Sequence, residues 1–285
     1  MGGPSAENEV SKRSGAAVAD GLRAAGYAVC EIDIQGRTVD LPEDIDLVFI
    51  ALHGEFGEDG AVQKILRDRG LPYTGSDPEA SRASFDKRIS KRIFQRAGIP
   101  TPDYEILRAG QRRTLPLPVV VKPPCQGSSI GVHKVFVEDE WPAACADALR
   151  YGDEALVEAY IPGRELTVGI VGDEALPAVE IVAPDGWYDY TAKYTSGATN
   201  YVVPAQVDDR IAGQCRQLAL RTFHALGCRG LGRVDFRVTD AGETYVLELN
   251  NIPGFTKTSL LPKAAKAAGI EFHELCDRIA RLAAL

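Results

Sequence analysis

Apolar runs of strand length alternate with helix-period segments along the first part of the chain. Asp46-Leu47-Val48-Phe49-Ile50-Ala51-Leu52 predicts a buried strand and Gly60 to Asp68 a helix, which is an α/β pattern. Turn formers crowd Leu71-Pro72-Tyr73-Thr74-Gly75-Ser76-Asp77-Pro78, and one long helix is predicted from about Asp77 to Ala97, so a boundary falls near residue 76. In the second unit, Pro118 to Lys122 and Ala155 to Glu158 read as strands and Asp139 to Arg150 as a helix. Gln126-Gly127-Ser128-Ser129-Ile130-Gly131 is a glycine- and serine-containing loop between the strands. Beyond Gly163 hairpins dominate. Leu166 to Val171 turns at Gly172-Asp173 into Leu176 to Val182, and Gly232 to Val238 turns through Asp240-Ala241-Gly242 into Thr244 to Asn250. Helices at Asp208 to Leu226 and Phe272 to Ala284 cover that antiparallel sheet. The pattern predicts three modules, 1–76, 77–163 and 164–285, in α/β and α+β style, with no internal repeat or low-complexity segment.

Composition narrows the function classes. A chain of 285 residues with 45% hydrophobic content can bury a large core, in two or three domains. A net charge of -8 argues against a broad phosphate-backbone footprint, so nucleic acid is not an expected partner and small molecules are. Six scattered cysteines form no CxxC pair and have no histidine spacing that suggests zinc. With no spanning apolar run and no secretion signal, a cytoplasmic protein with reduced thiols and no membrane association is expected.

The segment richest in chemistry is Gly232-Arg233-Val234-Asp235-Phe236-Arg237 with Tyr245-Val246-Leu247-Glu248-Leu249-Asn250. Period-two alternation puts Arg233, Asp235 and Arg237 on one face of their strand, and Glu248 and Asn250 on one face of theirs. If the hairpin pairs, three oxygen-bearing side chains converge as the hard-oxygen set that magnesium prefers. The bland alternative is a half-buried hairpin with an ordinary polar face. Against it stands the continuation Asn251-Ile252-Pro253-Gly254-Phe255-Thr256-Lys257-Thr258-Ser259-Leu260, a glycine- and hydroxyl-rich loop leaving the same strand end.

The pattern G-R-x-D followed by L-E-x-N-x-x-P-G-x-T-x-x-S-L resembles the C-terminal signature of D-alanine:D-alanine ligases. The resemblance spans nearly the whole chain. It continues at Gly2-Gly3-Pro4-Ser5-Ala6-Glu7, at Ala51-Leu52-His53-Gly54 to Gly60, and at Leu71 to Ser76. It also covers Asp86-Lys87, Val121-Lys122-Pro123, Gly127 to Val132, and Tyr188 to Tyr194. It implies an ATP-grasp fold of three domains and an ATP-dependent carboxylate–amine ligase that joins two D-alanines through an acyl phosphate for peptidoglycan synthesis. ATP and two magnesium ions, with manganese as an alternative, are the implied cofactors, and a homodimer is common in the family.

The resemblance also implies residue roles. Lys87, Lys122, Ser128 and Ser129 meet the nucleotide phosphates, Lys193 assists them, and Glu158 and Glu165 hold the adenine edge and the ribose. Asp235, Glu248 and Asn250 hold the metal. Glu7, helped by His53, reads the ammonium of the first amino acid, and Glu7, Ser128 and Tyr194 form a hydrogen-bonded set. Arg233 and the backbone N–H of Gly254 stabilise the oxyanion, while Ser259 and Leu260 meet the second substrate. Taken alone, each lysine reads as solvated and His53 as a satisfied structural histidine. The Lys193-Tyr194 pair, in a lid expected from Tyr188 to Pro204, favours an amine over D-lactate as second substrate.

Two departures accompany the resemblance. The family begins with an apolar strand before Gly-Gly, so the first domain is expected to lack its usual first strand, through a truncated start. The segment between Leu107 and Pro118 is shorter than usual, a surface trim. Two rival readings follow: a ligase for another amino-acid pair, and a catalytically silent ATP-binding or regulatory homologue.

Overall fold

A computed structural model of the chain describes residues 1–183 and 199–284. Helix α1 (Asn8–Ala24) buries Ser11, Ser14, Val18, Ala19, Gly21 and Leu22. Gly21 lets it approach the C-terminal helix Phe272–Arg281, because a Cβ there would sit 2.6 Å from Cys276 Sγ. The predicted strand over Asp46–Leu52 is extended chain rather than a ladder strand. Val48 donates to the Pro72 carbonyl at 2.9 Å and accepts from Thr74 N–H at 3.0 Å, in one parallel bridge to Tyr73. A cavity of about 310 Å³ separates this segment from 27–34, and Val18, Leu22, Val29, Phe49 and Leu66 are among its lining residues. The gap keeps the two extended backbones out of hydrogen-bonding reach, which is why the α/β pattern yields isolated bridges here. Helix α2 (Ala61–Asp68) contributes Val62 and Leu66 to the cavity lining, and its buried Gln63 donates to the Gly57 carbonyl at 2.6 Å.

The single helix predicted from Asp77 to Ala97 is two helices. Asp77 caps α3 (Pro78–Phe85) by accepting from Ala80 N–H, and Asp86 caps α4 (Lys87–Arg96) by accepting from Arg88 N–H. Asp86 is extended, at φ -83 and ψ 102, so helix propensity across the junction yields to a second N-cap that re-aims the chain. Lys87 therefore opens α4.

Strands β1 (Tyr104–Arg108), β2 (Val119–Lys122), β3 (His133–Val135) and β4 (Glu154–Ala159) form an antiparallel sheet ordered β1-β4-β2-β3. Helix α5 (Trp141–Ala148) packs Ala144 and Ala148 on it. A second sheet is ordered β10-β9-β5-β7-β8, and comprises β5 (Arg164–Val171), β7 (Val179–Val182), β8 (Asn200–Val202), β9 (Leu231–Val238) and β10 (Thr244–Asn250). Short β6 (Glu174–Ala175) pairs with the end of β5. The first predicted hairpin is thus shorter than expected, and β7 returns to the other end of β5, with Thr167 opposite Val179. Pro177 has no N–H for the ladder and falls in the break. Helix Asp209–Ala225 covers one face through Leu218 and Phe223. Helices Leu260–Ala267 and Phe272–Arg281 cover the other through Leu261, Leu275 and Ile279. Sequence patterning missed α1 and Leu260–Ala267. Beyond Arg281, Ala284 and Tyr73 exchange two backbone hydrogen bonds, at 3.1 and 3.2 Å, stitching the end of the chain to the first unit. Among the described residues no helix is long and apolar enough to cross a membrane.

Candidate active site

A cleft opens where the two sheets meet. Its apolar walls include Val120 and Val132 from one side, Leu247 from the other, and Tyr160 and Ile161 from the segment joining β4 to β5. The joint is braced by the buried Arg237 guanidinium, which donates to the Ile161 carbonyl at 3.1 Å and to the Gly163 carbonyl at 2.7 Å. Arg237 also pairs with Glu165 at 3.5 Å, which puts Glu165 in the cleft wall.

One end of the cleft is charged. Lys87 donates to the Gln126 carbonyl at 2.9 Å and pairs with Glu248 at 3.0 Å. Burial pulls its ammonium down, but Glu248, with Cys125 and Glu158 adding, more than reverses this, so its affinity for the proton is raised. Lys122, at the end of β2, ion-pairs with Glu158 of β4, as does Lys91 of α4. Burial works to raise the Glu158 carboxyl, and the two ammoniums outweigh it and hold it below the usual carboxylate range. The strands dictate this meeting, since Lys122 stands opposite Leu156 and Val120 opposite Glu158 in neighbouring registers.

The β9–β10 hairpin pairs as the alternation predicts, with a bulge at Leu247 that brings Glu248 opposite Asp235 and Asn250 opposite Arg233. Asp235 accepts from Arg233 at 2.8 and 2.9 Å, from Thr167 Oγ1 at 2.6 Å and from Asn250 Nδ2 at 3.0 Å. Among the described residues no cluster of three or more His, Cys, Asp or Glu side chains is placed to hold a metal, so the candidate set is two carboxylates and an amide. That set fits a hard divalent ion by donor chemistry. The partners now on its carboxylates, Arg233 and Lys87, are cations that such an ion would share or replace.

The loop after β2 turns back through Ser128 and Ser129, both left-handed at φ 53 and 57, a conformation uncommon outside glycine. The turn delivers Ser128 Oγ to Glu7 Oε1, 121 positions earlier in sequence. The Glu7 carboxylate is also crowded by backbone, for a Cβ at Gly54 would lie 2.8 Å from Glu7 Oε2 and one at Gly127 3.0 Å. Ser5 Oγ donates to the His53 carbonyl at 2.6 Å, fixing the chain just before Glu7.

His53 is 4% exposed and both ring nitrogens are engaged. Nδ1 lies 3.0 Å from the Ile252 carbonyl, which only accepts, so Nδ1 donates and Nε2 accepts from Ser14 Oγ at 2.9 Å. Phe255 N–H in turn donates to Ser14 Oγ at 3.2 Å. The ring thus braces the 252–255 loop against α1, the satisfied structural state of a buried histidine. In that loop Gly254 admits close approach, a Cβ there lying 3.3 Å from Ser259 Oγ. Ser259 stands at the N-cap position of the helix Leu260–Ala267 without a side-chain capping bond, its Oγ instead accepting from Thr256 N–H at 3.1 Å and meeting Thr256 Oγ1 at 2.9 Å. The Leu260 side chain lies in the hydrophobic core, leaving its backbone N–H at the helix start for any polar contact. Lys193 and Tyr194, with most of the expected lid, lie outside the described residues.

Sequence reasoning missed Lys91, Arg237 in its bracing role, and Ser14. Only Lys91 carried a signal, as a lysine one helical turn beyond Lys87. Three cysteines are buried away from the cleft: Cys228 and Cys276 are pushed up to about 12 and Cys215 to about 11, chiefly by burial, which makes them inert.

Residues 93–281 match the family model described as D-ala D-ala ligase C-terminus, and residues 35–76 match the one described as D-ala D-ala ligase N-terminus. The chain is 44% identical over 284 residues to the D-alanine–D-alanine ligase of Methylacidiphilum infernorum, covering 100% of this chain and 94% of that one. It is 47% identical over 287 residues to the enzyme of that name from Syntrophotalea carbinolica, covering 98% and 93%. Among solved structures, the D-alanine–D-alanine ligase from Bacillus anthracis complexed with ATP matches with a TM-score of 0.87 at 34% identity, over 99% of this chain and 94% of that one. The VanG D-Ala:D-Ser ligase from Enterococcus faecalis matches with a TM-score of 0.88 at 29% identity, over 99% and 97%. The chain belongs to the D-alanine–D-alanine ligase family.

Proposed function

We propose that this chain joins two D-alanines into D-alanyl-D-alanine at the expense of ATP, as a cytoplasmic step of peptidoglycan precursor synthesis. The observation that carries the reading is the convergence of Ser128 on Glu7 beside a cleft with apolar walls and ammoniums at one end. Such a cleft suits a flat base against its apolar walls with a phosphate chain running beside the ammoniums. In this reading Lys87, Lys122 and the Ser128-Ser129 backbone meet the phosphates, Glu158 the adenine edge and Glu165 the ribose.

A carboxylate resists attack by an amine because it offers no good leaving group. In the first step an oxygen of the first D-alanine's carboxylate attacks the γ-phosphorus and ADP leaves. In the second the amine of the other D-alanine attacks the carbonyl carbon, phosphate departs and the amine loses a proton. Glu7 fixes the first substrate by its ammonium, and Ser128 orients Glu7. Arg233 and the Gly254 N–H meet the charge that develops on the carbonyl oxygen, and Ser259 with the Leu260 N–H meets the second carboxylate. Asp235, Glu248 and Asn250 would hold two magnesium ions, or manganese, which when bound neutralise charge on the transferring phosphoryl group. Tyr194 and Lys193 complete the set as an amine-selecting lid. The three modules 1–76, 77–163 and 164–285 supply one side of the site each, and a homodimer is the proposed assembly.

The test is phosphate release with ATP, magnesium and D-alanine, beside L-alanine, D-alanine with D-serine, and D-alanine with D-lactate, each product being weighed. D-alanyl-D-alanine formed from D-alanine alone is expected. A mixed D-alanyl-D-serine product in preference would transfer the second site to D-serine, and silence with every pair from protein that binds ATP would replace the ligase by a nucleotide-binding module.

A further inference from the structure

Helix α4 sends two ammoniums toward the cleft, and only one borders it. Its buried face runs Lys87, Ser90, Lys91 and Phe94, the i, i+3, i+4, i+7 stripe that ordinarily holds apolar residues. Lys91 is 0% exposed. Its Nζ donates to Thr101 Oγ1, which donates onward to the Val246 carbonyl at 2.7 Å, and ion-pairs with one oxygen of Glu158. The other Glu158 oxygen pairs with Lys122, which does line the cleft.

A buried ion pair that served packing alone would need one cation, since each added buried charge is costly unless it is matched. Here Glu158 has two. Around the charged end, Arg233 balances Asp235 and Arg237 balances Glu165, while the ammoniums of Lys87, Lys91 and Lys122 face the carboxylates of Glu158 and Glu248. Among the described residues the cluster therefore carries an excess of one positive charge, which calls for an anion. Lys91 is sealed away from any ligand, so the excess can be expressed only through Lys122 and Lys87.

We propose that Lys91 is a positioning residue for the nucleotide: by sharing Glu158 with Lys122, it leaves the Lys122 ammonium free to turn toward the phosphate chain of ATP. The proposal deepens the ATP reading of this cleft and rests on it. Without Lys91, Glu158 would be balanced by Lys122 alone, the two would close into a neutral pair, and the cleft would lose its positive excess. Burial opposes charge on Lys91, lowering it to about 8, and the Glu158 carboxylate is the main group working against that loss.

The experiment measures binding of ATP, ADP and adenosine by calorimetry, with steady-state kinetics, for the full chain and for Lys91→Met. The expected result is a loss of ten-fold or more in affinity for ATP and ADP, with adenosine changed less than three-fold. The KM for ATP should rise while the KM for D-alanine stays within two-fold. Lys91→Gln, which keeps a polar group beside Thr101 and Glu158 but removes the charge, should behave alike and serves if the methionine variant does not fold. Equal loss across ATP, ADP and adenosine would make Lys91 a packing residue, and unchanged ATP affinity would overturn the proposal outright. Failure of the unsubstituted chain to bind ATP or ADP would instead remove the ATP reading itself.

Discussion

Glu248 lies 3.0 Å from Lys87 and opposite Asp235 in the hairpin register, so one carboxylate serves both the ammonium and the proposed ion. Glu248→Gln keeps its shape and removes its charge. Phosphate release is expected to fall by about 10²-fold or more with little change in melting temperature. Release at the original rate would exclude Glu248 from the metal set. Gly54 makes a second demand, because its φ of +71 is left-handed and a Cβ there would press on the Glu7 carboxylate. Gly54→Ala should raise the KM for D-alanine by about ten-fold, given that 1.4 kcal/mol of displaced geometry amounts to that factor, and leave ATP affinity close to its starting value. Loss of ATP affinity with intact D-alanine recognition would contradict the placement of Gly54 at the amino-acid end. Strand alternation made the faces of Arg233 with Asp235 and of Glu248 with Asn250 legible within each strand, though not the bulge at Leu247 that sets Glu248 opposite Asp235. It could not show that Lys91 belongs to the same charge cluster, because a lysine on a buried helical stripe looks like an exposed one until its partner, Glu158, arrives from another strand.

At the scale of elements, the junction between α3 and α4 decides where Lys87 points. Asp86 terminates one helix and caps the next, and its carboxylate also takes the Arg88 guanidinium at 2.6 and 2.9 Å. Asp86→Ala should cost about 1 kcal/mol of stability through the lost cap, a fall of about 2–4 °C in melting temperature by the usual scaling. It should also raise the KM for ATP, and an unchanged KM would show that Lys87 does not depend on the cap. The junction was written in the sequence as an Asp before a basic helical turn, but a pattern read over twenty residues smooths across one extended residue. Helix α1 was illegible for another reason. Its buried face is largely Ser, Ala and Gly, which carries little hydrophobic periodicity, and it is set by close packing against Cys276 and Phe272. The extended segment 46–52 was legible as an apolar run, whereas segment 27–34 was not singled out, and sequence could not report that a cavity lies between the two. With so few ladder bonds, their amides are expected to exchange with solvent well before those of β5, β9 and β10, which hydrogen-exchange mass spectrometry would resolve. Equal protection in the two regions would contradict this.

For the whole molecule, two buried carboxylates set the acid limit. The Asp86 carboxyl is raised by burial but taken below its ordinary value by the Arg88 side chain and backbone, and Glu158 is lowered by Lys122 and Lys91 against burial. A carboxylate depressed in the folded state contributes stability that is complete above its unfolded value, near 4, and is lost as pH falls through the folded value. Melting temperature should therefore hold on the neutral side and fall steeply below about pH 4. Asp86→Asn, which retains a capping oxygen without the titration, should flatten that fall, and an unaltered slope would assign acid sensitivity elsewhere. The two antiparallel sheets were legible because strand-period runs recur beyond residue 100, whereas the bonds that tie distant parts of the chain together were not, since no local signal links residues so far apart.

That separation has a consequence for how the protein is made. His53 is bonded to the carbonyl of Ile252, 199 positions downstream, and Glu7 to Ser128, 121 positions downstream. At an elongation rate of roughly 5–20 residues per second, His53 waits roughly 10–40 s on the ribosome before its partner exists. A nascent chain thus carries the amino-acid-reading end of the site long before the hairpin and loop that would complete it, and premature termination anywhere before Ile252 leaves a product with half a site and no turnover.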